Sequence, residues 1–169
     1  MDLKIIFLDM DNTIAENKTS SNIEFYDGMY LEKRPIQIVI NAIKTLYDKT
    51  PVVIISKAQG GVKGITEKMK WLGENCPLLI KDKIFLMENE KYYMKAVYID
   101  EYCIKNHVPI TQCLIIDDSK EVLNYCKQYG LQTKYPQQLI CDYEEHIKQL
   151  NDDVIEAVGS KIVKLEKQK

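Results

Sequence analysis

Apolar residues along the chain fall into short runs, and stretches with helical spacing lie between them. The run Leu3–Leu8 is apolar apart from Lys4 and ends abruptly in acidic residues. Pro51–Ile55 is rich in β-branched residues and ends at Ser56. Cys113–Ile116 ends at Asp117 and Asp118, Lys83–Leu86 is a weaker run, and Gly130–Lys134 offers a last short strand. Short apolar runs bounded by polar residues suit strands buried on both faces.

The intervening stretches read as helices. Ile36, Val39, Ile40, Ile43 and Leu46 keep one face apolar, with Pro35 near the start. Ile65, Met69 and Leu72, with Trp71 beside them, predict a second helix. Met94, Val97, Tyr98, Glu101 and Tyr102 predict a third. Val122, Leu123, Tyr125 and Cys126 predict a fourth that begins near Ser119. The tail from Tyr143 carries Ile147, Leu150, Val154, Ile155 and Val158, so a last helix is expected, with a fraying Lys-rich end. Such alternation predicts an α/β fold with right-handed crossovers and a parallel sheet covered on both faces. Ligands of such sheets bind at the carboxyl ends of strands. Three of the predicted strands end there in Asp9, Ser56 and the pair Asp117–Asp118.

The segment 14–34 interrupts this pattern. It holds Phe25, Tyr26, Asp27, Gly28 and Tyr30. About 20 residues is long for a strand–helix connection. It is either a lid or small cap, or a surface loop with its own aromatic anchor.

Composition narrows the class. A chain of 169 residues corresponds to one domain with room for a sizeable core. Hydrophobic residues at 46% and charged residues at 28% argue against a disordered or collagenous chain. Lys and Arg total 23 against 25 for Asp and Glu, so nothing favours general nucleic-acid or membrane binding. Cys76, Cys103, Cys113, Cys126 and Cys141 form no CxxC pair. They are neither a zinc pattern nor a disulfide framework, and most are expected as small buried hydrophobes in a reducing compartment. The apolar stretch Ile5–Leu8 is too short for a signal-peptide core. No apolar run reaches the ~18 residues of a membrane span, so a soluble, cytoplasmic protein is expected.

The candidate chemistry begins at Asp9-Met10-Asp11-Asn12-Thr13, directly after the first strand. Alone, such residues could be caps or turn formers. Further along, in order, come Ser56 after the second strand, Lys95 opening the third helix, and Asp117–Asp118 after the fourth strand. Gly60, Gly61 and Gly64 follow Ser56, but no GK[ST] accompanies them, so they shape a turn rather than a phosphate loop.

This ordered set resembles the four motifs of the haloacid dehalogenase-like superfamily of phosphohydrolases. DxDxT reads as Asp9, Asp11 and Thr13, the hydroxyl as Ser56, the lysine as Lys95, and the acidic pair as Asp117 and Asp118. The resemblance implies a three-layer α/β/α, Rossmann-like parallel sheet with a minimal or absent cap. Residues 1–169 would form a single hydrolase domain, with 14–34 as a short lid or cap insertion. It implies a Mg²⁺-dependent phosphomonoester hydrolase acting on a small phosphorylated substrate.

Mg²⁺ prefers oxygen ligands. By the resemblance, Asp9, the Asp11 backbone carbonyl and Asp117 supply them, with Asp118 directly or through water. Asp9 attacks phosphorus and forms a phosphoaspartyl intermediate. Asp11 protonates the leaving oxygen, then takes a proton from the attacking water. Ser56, the backbone amide of Lys57 and Lys95 hold the transferring phosphoryl group. Thr13 completes the phosphate-binding set by fixing the turn. Lys91 or Lys57 could take the lysine role instead, and Asp118 could cap the helix near Ser119.

Within the superfamily the chain is most similar to the 5'-deoxyribonucleotidase group. The similarity lies in Phe7–Asp11, in Tyr26-Asp27-Gly28 before a Pro-started helix, in Glu67–Leu72 with Trp71, and in Ile115–Asp118. This implies a (deoxy)nucleoside monophosphate substrate whose base stacks on Phe25, Tyr26 or Tyr30. An alternative is a catalytically quiet, Mg²⁺-binding relative that serves as a partner-binding subunit. A receiver domain would place its acidic pair on the first strand, whereas here the pair comes late.

Overall fold

The computed structural model describes residues 3–16, 24–77 and 79–166, with side chains through residue 156. The chain runs β1 (Ile5–Leu8), β2 (Ala15–Glu16), β3 (Arg34–Pro35), α1 (Gln37–Leu46), β4 (Val52–Ala58) and α2 (Gly61–Asn75). It continues with β5 (Ile80–Met87), α3 (Met94–Lys105), a 3-10 turn, β6 (Cys113–Ile116), α4 (Lys120–Gln128), β7 (Gln132–Lys134) and α5 (Pro136–Glu166).

Five strands form one parallel sheet in the order β5-β4-β1-β6-β7. β1 lies in the middle, with Phe7 paired to Val53 on one side and Ile115 on the other. Period-two alternation divides the core. Ile6, Leu8, Val52, Ile54, Leu114 and Ile116 pack with α1, Trp71 and Leu72 of α2, and Leu139 of α5. Ile5, Phe7, Val53, Ile55, Cys113 and Ile115 pack with Ala96, Ile99 and Cys103 of α3 and Val122, Leu123 and Cys126 of α4. The result is the three-layer α/β/α arrangement expected from the sequence.

Several boundaries differ from expectation. β4 continues to Ala58, so Ser56 lies inside the strand. β5 begins at Ile80, with Lys81, Asp82 and Lys83 exposed. It is an edge strand, and polar edge residues hide it from a search for apolar runs. α2 buries Gly64, Glu67, Lys68, Trp71 and Leu72, while Met69 is exposed. α3 likewise buries Lys95, Ala96, Ile99 and Cys103. Both helices are therefore rotated about one residue from the predicted face. Pro35 belongs to β3, and α5 starts at Pro136, well before Tyr143. Proline suits that first helical position because its missing N–H would have no intrahelical partner. Leu150, Val154 and Ile155 are exposed on α5. The Val158 side chain and residues 167–169, including the expected fraying end, lie outside the described residues.

Two short strands bracket the segment 14–34. β2 pairs antiparallel with β3, Ala15 opposite Pro35 and Glu16 opposite Arg34. Residues 17–23 of this segment lie outside the described residues. Residues 24–33 lie against α2. Glu67 accepts hydrogen bonds from the Gly28 amide at 2.7 Å and the Tyr30 amide at 3.2 Å. The Trp71 indole donates to the Lys33 carbonyl at 2.8 Å, and Lys63 pairs with Asp27 at the surface.

Cys76, Cys103, Cys113 and Cys126 are buried free thiols, and Cys141 is exposed. Among the described residues, no helix is long and apolar enough to cross a membrane.

Candidate active site

The turn after β1 aims two carboxylates. Asp9 extends the strand pairing, its amide donating to the Ile116 carbonyl at 3.0 Å. The Met10 carbonyl then accepts from the amides of Thr13, Ile14 and Ala15, which tightens the turn. Asn12 sits at φ 55°, a left-handed conformation that Asn tolerates better than most residues. The Thr13 hydroxyl donates to Asp9 Oδ2 at 3.4 Å. The turn therefore places Asp9 directly at the carboxyl end of β1, buried, with Asp11 two residues further into the turn.

Lys95 enters from the first turn of α3. Its ammonium lies 2.6 Å from Asp9 Oδ1 and 2.6 Å from Asp117 Oδ2, with all three side chains nearly excluded from solvent. Burial alone would lower the Lys95 pKa, but Asp9 and Asp117 outweigh it and hold it above its ordinary value. Asp117 also accepts from the Ser119 amide at 2.8 Å through Oδ1. Burial, together with nearby Asp9, pushes the Asp117 carboxyl up to about 7 against the pull of Lys95.

Oxygens of Asp9, Asp117 and Asp118 lie within 4.8 Å of one another. Two of these carboxylates are buried and the third is exposed. An all-oxygen, multiply anionic donor set of this kind suits a hard divalent cation. The raised Asp117 pKa has the same origin, since crowded buried carboxylates lack enough positive charge. The residues thus fit a Mg²⁺-type ion. The Asp11 side chain stands outside this group.

Asp11 is held elsewhere. Lys33 from the segment 24–33 pairs with its Oδ1, and Lys68 from α2 pairs with its Oδ2. Burial would raise the Asp11 pKa, but Lys68 and Lys33 together bring it below the ordinary carboxylate value. Lys68 has no exposed surface and also donates to Ser56 Oγ at 2.8 Å and the Lys57 carbonyl at 2.7 Å. The Tyr30 ring covers both ammonium groups, at 4.6 Å from Lys68 and 5.0 Å from Lys33.

The structure thus gathers Asp9, Thr13, Lys95, Asp117 and Asp118 into one group. Asp11 and Ser56 form a neighbouring group through Lys68. Lys91 is exposed, and the Lys57 ammonium lies over the Tyr92 ring at 5.2 Å, so Lys95 holds the central position. Ser119 itself caps α4, its hydroxyl accepting from the Val122 amide at 3.3 Å.

The three aromatics of the 14–34 segment occupy different settings. Tyr30 is buried, and its hydroxyl accepts from the Gln59 amide at 2.9 Å. Phe25 packs beside Tyr30 with ring centroids 6.2 Å apart. Tyr26 is exposed, its hydroxyl donating to Glu32.

Sequence reasoning missed Lys33, Glu67 and Lys68. A signal existed for Lys68, which lies three residues after Ile65 and four before Leu72. A lysine on that stripe must be buried with partners or break the stripe. Nothing local marked Lys33, whose role depends on how the segment folds back.

No protein-family model matches the sequence, and no curated protein matches it. Solved structures share its fold. A D,D-heptose 1,7-bisphosphate phosphatase from Burkholderia thailandensis superposes with a TM-score of 0.56 at 11% identity, over 85% of this chain and 98% of the other. A haloacid dehalogenase-like family hydrolase from Xanthomonas campestris gives 0.57 at 12% identity, over 79% and 82%. A haloacid dehalogenase family enzyme from Bacteroides thetaiotaomicron, in complex with magnesium and inorganic phosphate, gives 0.56 at 9% identity, over 79% and 93%. The chain therefore has the fold of haloacid dehalogenase-like hydrolases.

Proposed function

We propose that this chain is a Mg²⁺-dependent phosphomonoester hydrolase of the haloacid dehalogenase-like type. The observation that carries the reading is Lys95 bridging Asp9 and Asp117 at the ends of adjacent strands, with Asp118 completing a three-carboxylate group. The shared fold with magnesium-bound and phosphate-bound enzymes of that type supports it.

Bound Mg²⁺ would offset the negative charge of the phosphate and polarise the phosphoryl group. Asp9, Asp117, Asp118 and the Asp11 carbonyl would hold it. The Asp9 carboxylate attacks phosphorus, the P–O bond to the leaving group breaks, and a phosphoaspartyl group forms. Asp11 gives a proton to the leaving oxygen, then accepts one from the water that hydrolyses the acyl phosphate. Lys95, the Ser56 hydroxyl and the Lys57 amide hold the equatorial oxygens, and Thr13 steadies Asp9. Asp11 must be protonated to act as the acid, so substrate binding has to loosen its pairing with Lys33 or Lys68.

The substrate class we assign is a (deoxy)nucleoside 5'-monophosphate, on the sequence resemblance to deoxyribonucleotidases. The segment 14–34 serves as a short lid in a single domain. Among its three aromatics, Tyr26 is the exposed one and so the candidate to meet a base.

The test is phosphate release from nucleotides, sugar phosphates and an aryl phosphate, with Mg²⁺ and with chelator. Mg²⁺-dependent release that ranks nucleotides first is expected. Release led by sugar phosphates would remove the nucleotide assignment. No release from any of them would favour a partner-binding role.

A further inference from the structure

Lys68 is an expensive residue for its position. Its side chain is fully buried in a helix whose neighbouring inward residues are Gly64, Glu67, Trp71 and Leu72. Burying an ammonium costs far more than burying a methionine or leucine unless each of its protons finds an acceptor. Here the three protons find three acceptors: Asp11 Oδ2, Ser56 Oγ and the Lys57 carbonyl. The Tyr30 ring closes the remaining side at 4.6 Å.

The identity of the acceptors is informative. Asp11 already has Lys33 as a counter-ion, so pairing alone does not require a second lysine. Ser56 and Lys57 both lie in the strand stretch that holds phosphate under the proposed function. An ammonium has no lone pair, so in the Lys68–Ser56 contact the serine oxygen must accept. A hydroxyl carries one proton. With an oxygen lone pair committed to Lys68, that proton is left to donate toward the phosphoryl group. Lys68 also fixes the Lys57 carbonyl and so holds the end of β4 in place.

Resting on the phosphohydrolase reading, we infer that Lys68 is a positioning residue that orients the Ser56 hydroxyl as a phosphate donor and couples it to Asp11. It acts through Ser56 and Asp11 rather than by touching substrate. No alkyl side chain of similar length can do this.

A double-mutant cycle of Lys68→Met and Ser56→Ala tests the inference. Two quantities are read: kcat and KM for an aryl phosphate with Mg²⁺, and the affinity for inorganic phosphate with Mg²⁺ by calorimetry. Thermal melts establish that each variant is folded. Lys68→Met is expected to lower kcat/KM by roughly 10- to 100-fold, the range for supporting residues around a site. The double variant should lose little beyond Lys68→Met alone, because the serine is already misdirected. Phosphate affinity should show the same non-additivity.

Losses that multiply across the cycle, or a Lys68→Met protein with parental kcat/KM, would overturn the inference. Lys68→Gln, which retains a donor without the charge, carries the cycle if the methionine variant does not fold. Failure of both to fold makes Lys68 structural and also overturns it. The two readings fail in different ways. A parent that binds phosphate but releases none sets the enzyme aside, and the affinity cycle still judges Lys68. Multiplying losses in an active parent remove the role of Lys68 and leave the phosphatase standing. A parent that binds no phosphate overturns both.

Discussion

The ring of Phe25 fills the space that a side chain on Gly60 would need. A Cβ at Gly60 would lie 2.3 Å from the ring, and the backbone there has φ +73°. The close approach seals the 24–33 segment onto the turn between β4 and α2. Gly60→Ala therefore meets two penalties. The left-handed backbone costs about 1–2 kcal/mol for a residue with a Cβ. Overpacking against the ring costs about 1–3 kcal/mol more. Urea denaturation should show both in Gly60→Ala. In a Phe25→Ala background the same substitution should cost only the backbone part. Equal costs in the two backgrounds would mean that the ring does not press on Gly60.

Glu67 fastens the same segment from below, with its two oxygens on the Gly28 and Tyr30 amides. Glu67→Gln turns one acceptor into a donor that faces an N–H. Leaving a buried group unsatisfied costs about 1–3 kcal/mol. Hydrogen exchange at the Gly28 and Tyr30 amides should speed up by about tenfold or more, since ~1.4 kcal/mol is a factor of ten. Amides of β1 should keep parental protection. Unchanged exchange at both positions would show that Glu67 does not hold the segment.

Asp9→Asn tests the chemistry itself. An amide at this position cannot attack phosphorus, yet it is close in shape. Phosphate release should fall by at least about 10⁴-fold, while the circular dichroism spectrum and melting curve stay near parental. Turnover close to that of the parent would exclude Asp9 as nucleophile.

Lys95→Met removes the positive charge between Asp9 and Asp117. Breaking a buried pair by deleting one partner costs about 3–5 kcal/mol, because the other charge remains buried. The melting temperature should drop in chelator and recover partly when Mg²⁺ is added. Phosphate release should not recover with it, since the cation restores charge balance but not the missing donor. A melting temperature equal to the parent's would show that the two carboxylates do not need Lys95.

Removing the metal should matter more at high pH than at low. Asp117 is pushed up to about 7 in the folded chain from an ordinary 3.8, so the folded state holds this proton more tightly than the unfolded state. Without a cation, its stabilising contribution is complete below pH 3.8 and is lost as pH rises through about 7. A bound divalent ion needs the ionised carboxylate and reverses that loss. The melting-temperature difference between Mg²⁺ and chelator should be larger at about pH 8 than at about pH 5.5. Mg²⁺ near 100 times its Kd should add about 2.7 kcal/mol. A difference that shrinks as pH rises would place the cation elsewhere.

The sequence made the sheet legible where strands are buried on both faces. β1 and β6 emerge as unbroken apolar runs that end in acids, and these ends carry Asp9 and Asp117. β5 shows only its apolar end in the sequence because an edge strand tolerates Lys81, Asp82 and Lys83. The β2–β3 pair was invisible because two residues carry no period. The apolar spacing of α2 and α3 points about one residue away from the buried face, since the buried positions Lys68 and Lys95 look like solvent residues by composition. That offset has a physical source. Polar side chains enter a core where the site needs them, and there hydrophobic periodicity reports the wrong face. Lys33 could not be read at all, because its pairing with Asp11 exists only after the segment has folded back.

The central position of β1 sets when the site comes into being. Its pairing partners are residues 52–54 on one edge and 113–116 on the other. Parallel pairings between distant segments must wait for long loops to close, which makes them late events. Asp9 therefore leaves the ribosome before Lys95 and Asp117 and stays without that part of its surroundings until β6 has emerged and docked, whereas the partners of Asp11, Lys33 and Lys68, come earlier in the chain. A nascent chain released before that point would carry the acid-rich turn but not the whole cage around it. Mg²⁺-dependent phosphate binding would then date the moment at which the last central strand falls into place.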